Sequence, residues 1–169
     1  MQTVASYSAT AERVAVVASA TDVFCLRGSA TKTVEVQGIR VSGSATANTL
    51  VPVSITKRTT ANTGGTSASA PAVAHDSLDP AATATAVAYT ANPSALGTSP
   101  GDLRGESLIF AGGSSPNLNI GSQVFRFTDY PSKHPRLHGV AEQICVNLNG
   151  TTVGGGLITV DMQWTESTP

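Results

Sequence analysis

Apolar residues along this chain recur at every second position, and rarely at the three-to-four spacing of a helix. From Thr31 to Val41, Val34 and Val36 share one face while Thr33, Glu35 and Gln37 take the other. Beyond Gly38 the apolar set moves to Ile39 and Val41, a slip of one residue. Glycine at such a slip predicts a β-bulge or a bend. Leu50 to Arg58 repeats the alternation with Val51, Val53 and Ile55 against Ser54 and Thr56. Pro52 lies inside that run and predicts an edge strand or an irregular start, because proline has no N–H for a ladder.

The last thirty or so residues carry the most regular pattern. Ile144, Val146 and Leu148 face one way and Gln143, Cys145 and Asn147 the other; later Ile158, Val160, Met162 and Trp164 alternate with Thr159, Asp161, Gln163 and Thr165. Asn149-Gly150 is a turn dipeptide that tolerates positive φ, and Gly154 to Gly156 lengthen the connection. An antiparallel C-terminal hairpin over 140–165 is expected. Shorter runs stand at Val14 to Val17, Asp22 to Arg27, Ser107 to Ala111 and Ile120 to Thr128. Residues 81–90 alternate Ala with β-branched Thr, which favours strand over helix.

Between these runs lie segments without period: 59–80, 92–105, 112–116 and the proline-punctuated 129–136. Residues 1–10 read either as a frayed terminus or as an N-terminal arm that orders on a neighbouring subunit. The expectation is therefore one domain over 11–169, all-β, an antiparallel β-sandwich. Eight or so short strands with long crossing connections fit a jelly roll.

Composition sharpens this picture. Only 12% of the 169 residues are charged and the net charge is −1, so Ser, Thr, Asn and Gly must make the surface polar. That suits β-structure packed against copies of itself and gives no attraction for nucleic acid. No run reaches the length of a membrane span. Met1-Gln2-Thr3-Val4 lacks the basic start of a secretion signal, so a soluble cytoplasmic product is expected. Cys25 and Cys145 each sit in an apolar strand and read as core thiols rather than a disulfide.

Little in the sequence marks an active site. His134 and His138 stand four apart, but Pro131 and Pro135 bracket them and no third ligand is near, so neither a metal nor a cofactor is expected. His75-Asp76-Ser77 cannot form a triad as sequence neighbours on an extended chain. Glu35, Glu106, Glu142 and Asp161 offer carboxylate pairs, as any β-domain does. Gly112-Gly113 and Gly154 to Gly156 do not stand between a strand and a helix as a phosphate loop does. Lys57-Arg58 is too small a basic patch for nucleic acid, and Asn149-Gly-Thr151 reads as a turn more simply than as a glycosylation sequon. A carbohydrate-binding module or small β-sandwich enzyme is an alternative from another class, but glycan sites usually display several exposed aromatics, and the chain has one Trp, three Tyr and four Phe. Trp164, Phe24, Phe125 and Phe127 are better placed in the core. No catalytic role is expected.

Several segments carry a family texture: Ala30-Thr-Lys-Thr-Val-Glu-Val-Gln-Gly-Ile-Arg-Val-Ser42, Lys57-Arg-Thr-Thr-Ala-Asn-Thr-Gly-Gly-Thr66, His75-Asp-Ser77 with Ala81-Ala-Thr-Ala-Thr85 and Tyr89-Thr-Ala-Asn-Pro93, then Val146-Asn-Leu-Asn-Gly150 through Asp161-Met-Gln-Trp-Thr-Glu166. In these the chain resembles small virion structural proteins of tailed bacteriophages, of the capsid decoration or cement kind. The resemblance implies a virion component, assembled in the host bacterial cytoplasm, that bridges and stabilises capsomers. It also implies a homo-oligomer, a trimer above all, with the major capsid protein or other virion proteins as partners and neither nucleic acid nor membrane. Contacts are expected from the N-terminal arm and the loops 59–80, 92–105 and 129–138. A tail, collar or fibre-tip module that binds a receptor or glycan is the other virion reading.

Overall fold

A computed structural model describes residues 4–113, 122–127 and 134–169. Twelve strands follow in order: β1 (Ala5–Ala15), β2 (Ala20–Arg27), β3 (Thr33–Ala45), β4 (Thr49–Arg58), β5 (Thr66–Ala70), β6 (Ala72–Ala74), β7 (Thr85–Ala91), β8 (Gly101–Gly112), β9 (Ser122–Arg126), β10 (Arg136–His138), β11 (Gln143–Thr151) and β12 (Leu157–Ser167). The chain is all-β, as its period of two predicts. Among the described residues no helix is long and apolar enough to cross a membrane.

The strands form one path, β5-β7-β2-β11-β4-β8-β3-β12-β1-β6, with β9 and β10 both paired to β3. All ladders are antiparallel except β3 with β8, which meet in parallel at Ser44–Ala111 and Ala45–Gly112. The two ends of the path, β5 and β6, are consecutive in sequence and separated only by Pro71. The sheet therefore curls until its ends lie almost side by side, nearly closing into a barrel. Strand β3 organises one wall. It pairs with β12 from Thr33 to Ser44 on one edge, and takes β10, β9 and β8 in succession on the other.

Twelve strands replace the expected eight or so, because β5, β6 and β10 are only five, three and three residues long. β5 and β6 consist of Ala, Ser, Thr and Val without a buried alternating face. The 59–80 and 92–105 segments are accordingly not loops throughout. The N-terminal arm is corrected too: residues 5–10 belong to β1, where Tyr7 is buried directly opposite Trp164, the rings 5.9 Å apart. Residues 1–3 lie outside the described residues, as do 129–133 of the 129–138 loop.

The expected hairpin over 140–165 does not form. β11 pairs with β2 and β4, whereas β12 pairs with β1 and β3. The periodicity is right but the partners are not. Ile158, Val160, Met162 and Trp164 do face the core. Asn149 and Gly150 do adopt positive φ, yet within an irregularity of the β11–β2 ladder rather than in a hairpin turn. The five residues after β11 carry the chain across to the other wall.

Pro52 gives a subtler correction. β4 is interior, between β11 and β8, but the β11 ladder ends at Ser54. Asn149 Nδ2 reaches the Pro52 carbonyl at 3.4 Å instead. The N and C=O of one strand residue point to the same side, so the missing N–H falls where no ladder runs. The slip at Gly38 is a bulge as predicted: Gln163 pairs with Gly38, and Trp164 skips to Val36.

Candidate functional site

Two kinds of place could carry function: a spot where ligand-type atoms converge, and the outward surfaces. Among the described residues, Asp22, Cys25 and Cys145 are the one group of three potential metal ligands whose donor atoms lie within 4.8 Å of one another. Cys25 and Cys145 are joined by a disulfide. The expectation of two core thiols is therefore wrong. They stand directly opposite in the β2–β11 ladder, with Cα atoms 4.1 Å apart and both side chains on one face. That pairing of strands 120 residues apart had no local signature.

Asp22 is on the same face as Cys25, although residues three apart on a regular strand point to opposite faces. The ladder steps from Phe24–Val146 to Asp22–Asn147, so Val23 is an extra residue that turns Asp22 round. The carboxylate is fully buried. It accepts hydrogen bonds from Arg58 Nε (2.5 Å) and Nη2 (2.8 Å), Asn62 Nδ2 (2.7 Å) and Asn147 Nδ2 (2.6 Å). With its oxygens taken and both sulfurs bonded to each other, this group is a covalent staple beside a saturated ion pair. Its donors have no capacity left for a metal.

What buries these polar atoms is a cover made by the segments that looked like loops. Thr59 N donates to Thr98 O, Thr63 and Ala95 exchange backbone bonds, and Asn62 Oδ1 takes Gly97 N at 2.8 Å. Arg58 Nη1 donates to Gly97 O at 2.9 Å. The two segments are thus tied to each other and to the staple beneath. Lys57, by contrast, turns outward to Glu142 at 3.3 Å. The basic doublet is split by the pleat.

A second buried carboxylate, Glu166, was missed by the sequence reading. It is 4% exposed and accepts Thr83 N, Thr83 Oγ1 (2.6 Å), Ala84 N (2.9 Å) and Trp164 Nε1 (3.1 Å). Its place at the end of the β12 inward series, after Trp164, was the available signal. Nearby, Tyr7 donates to Pro80 O at 2.8 Å. Burial, with the Glu166 and Asp79 carboxylates adding to it, pushes the Tyr7 phenol above its ordinary pKa.

The singled-out histidines do not converge. Extended backbone through β10 sets His134 and His138 about 13 Å apart along the strand. His134 Nδ1 meets Glu35 Oε1 at 2.7 Å, and Arg136 Nε donates to Glu35 Oε2 at 2.7 Å. His138 instead donates its backbone N–H to Glu142. His75 shares a shallow depression with His134, Glu35 and Gln37. Asp76 caps its own turn by accepting Leu78 N, and both it and Ser77 are exposed. Burial raises the Glu35 pKa, but the bonds from Arg136, His134 and Gln37 outweigh it and hold the carboxyl below the usual range. Glu106 stands exposed on β8, and Asp161 accepts Thr10 Oγ1 at 2.7 Å on the outer face. The four carboxylates are thus dispersed.

Outward surfaces carry large apolar side chains. Leu50 and Ile109 are directly opposite in the β4–β8 ladder and are 63% and 42% exposed. Val73, Leu78 and Val140 are exposed elsewhere. On the opposite wall, the outward residues of β1, β12, β3 and β9 line a groove of about 490 Å³. Comparison with family models, curated proteins and solved structures returns no match.

Proposed function

We propose that this chain is a structural subunit of a tailed-bacteriophage particle, a capsid decoration or cement protein that bridges and stabilises capsomers. The observation that supports it most is the combination of an internally locked β shell with outward apolar pairs such as Leu50–Ile109. Apolar surface left outward on a shell poor in charge favours permanent packing against other subunits. The resemblance in the segments 30–42, 57–66 and 146–166 points the same way.

In this reading the subunit is a homo-oligomer, a trimer above all, seated on the major capsid protein. Symmetry then multiplies modest contacts into firm attachment. Its role is mechanical rather than enzymatic, and its location is the virion. The finer architecture we propose is a jelly-roll sandwich, with β5-β7-β2-β11-β4-β8 as one layer and β6-β1-β12-β3 as the other. The short β3–β8 ladder links these layers along one edge, and the Pro71 corner links β5 to β6 at the other.

The purified protein should run as a discrete oligomer and bind emptied, expanded heads of the phage that encodes it. A strict monomer that ignores such heads would contradict the proposal. The groove on the β1–β12–β3–β9 face favours a second reading, a tail, collar or fibre-tip module that engages a receptor or glycan.

A further inference from the structure

The groove on the outer face of β1, β12, β3 and β9 is built from rows of paired residues. One row runs Ser8, Gln163, Gly38, Arg126 and the next runs Thr10, Asp161, Arg40, Val124, each residue directly opposite the next across a ladder. Gln37 joins them through the bulge beside Gly38. We propose that this groove is a binding site for a carboxylate-bearing sugar of an acidic oligosaccharide.

Gly38 is the first argument. Its φ is not in the left-handed region, and a Cβ built there would meet only the Phe125 carbonyl oxygen, at 3.6 Å, an ordinary contact. The backbone therefore does not need glycine at this position. What its missing side chain provides is the open floor of the groove, in the middle of a sheet where glycine otherwise costs stability. The volume, about 490 Å³, lies within the range of small-ligand sites.

Charge and hydrogen-bonding capacity select the ligand. Arg126, next to that floor, has no hydrogen bond or ion pair with the described residues. Arg40 spends Nε on Ser122 Oγ at 2.9 Å, and its terminal nitrogens are without partners among the described residues. Two guanidiniums in a protein so poor in charge are suited to one planar carboxylate. Asp161 stands directly opposite Arg40, on the side away from Arg126, and would repel a polyanion, which disfavours nucleic acid or a run of acidic residues. Beside a single carboxylate it accepts from hydroxyls, while Gln37 and Gln163 both donate and accept. Val124 supplies an apolar wall for sugar C–H groups. A sugar ring that brings a single carboxylate and several hydroxyls satisfies all of these groups together.

This deepens the ligand-binding reading and shares with it only the groove. Head binding is assayed separately, so either result can fail while the other stands. The test is a panel of uronate- and sialate-containing oligosaccharides, their neutral counterparts and tri-glutamate, titrated against the full chain by calorimetry. Carboxylated glycans should bind, neutral ones about tenfold more weakly or not at all, and tri-glutamate should not compete. Arg126→Ala and Gly38→Leu should each weaken binding at least about tenfold with the thermal midpoint nearly unchanged. Absence of any carboxylated hit, equal competition by tri-glutamate, or full binding by both variants would overturn the proposal. If Gly38→Leu is destabilised, Arg126→Ala alone decides.

Discussion

Cys25 and Cys145 face each other across β2 and β11, and their disulfide lies on the side of the sheet away from the main core. There it packs with Tyr89 beneath the tied segments 59–63 and 95–98. Replacing both cysteines with alanine should lower stability by about 2–4 kcal/mol, read by denaturant unfolding. Because both sulfurs are fully buried, alkylation after mild reduction should be slow in the folded protein and fast in denaturant. Alkylation of the untreated, denatured protein would show that the bond is absent.

Asp22 and Arg58 are both buried, so removing one partner leaves a charge without compensation. Asp22→Ala should cost about 3–5 kcal/mol, and Asp22→Ala combined with Arg58→Met should recover part of that loss. A double variant no more stable than the single one would mean that Asn62 and Asn147, rather than the ion pair, hold the cover down.

Glu166 ties the segment leading into β7 to the end of β12. With Glu166→Ala, the Thr83 and Ala84 amides lose their acceptor, and hydrogen exchange there should accelerate ahead of the rest of the sheet. The stability loss should be about 1.5–3 kcal/mol for each charged hydrogen bond not replaced by water. Unchanged protection at these two amides would contradict the role given to Glu166.

Glu35 supplies a pH dependence. Its folded carboxyl holds its proton less readily than in the unfolded chain, so the unfolded state binds more protons in acid. The stabilisation is full above the unfolded value of about 4.3 and is lost as pH falls through the lower folded value. Glu35→Gln should therefore be less stable than the parent at neutral pH, and the difference should narrow in acid. A gap that stays constant with pH would place the effect elsewhere.

Alternation made individual strands legible because burial of one face leaves a period of two in the sequence. Ile158 to Trp164 and the Gly38 bulge show this directly. Partnership was not legible. β11 and β12 look like a hairpin because they are regular and adjacent, yet each is completed by strands distant in sequence. Gln143, Cys145 and Asn147 alternate as a solvent face would, but the 59–63 and 95–98 segments cover them. Polar residues on a covered face differ from polar residues in water only in their partners, and those partners (Asp22, Arg58 and Asn62) come from elsewhere in the chain. Tyr7 was hidden for another reason: its flanking Ala and Ser residues carry no amphipathic contrast, so β1 resembled a loose arm.

The virion reading is tested most directly by electron cryomicroscopy of intact particles of the encoding phage. The account predicts density for this nearly closed β-barrel on the outer shell, in many symmetry-related copies seated between capsomers. Particles that lack the protein altogether would contradict it.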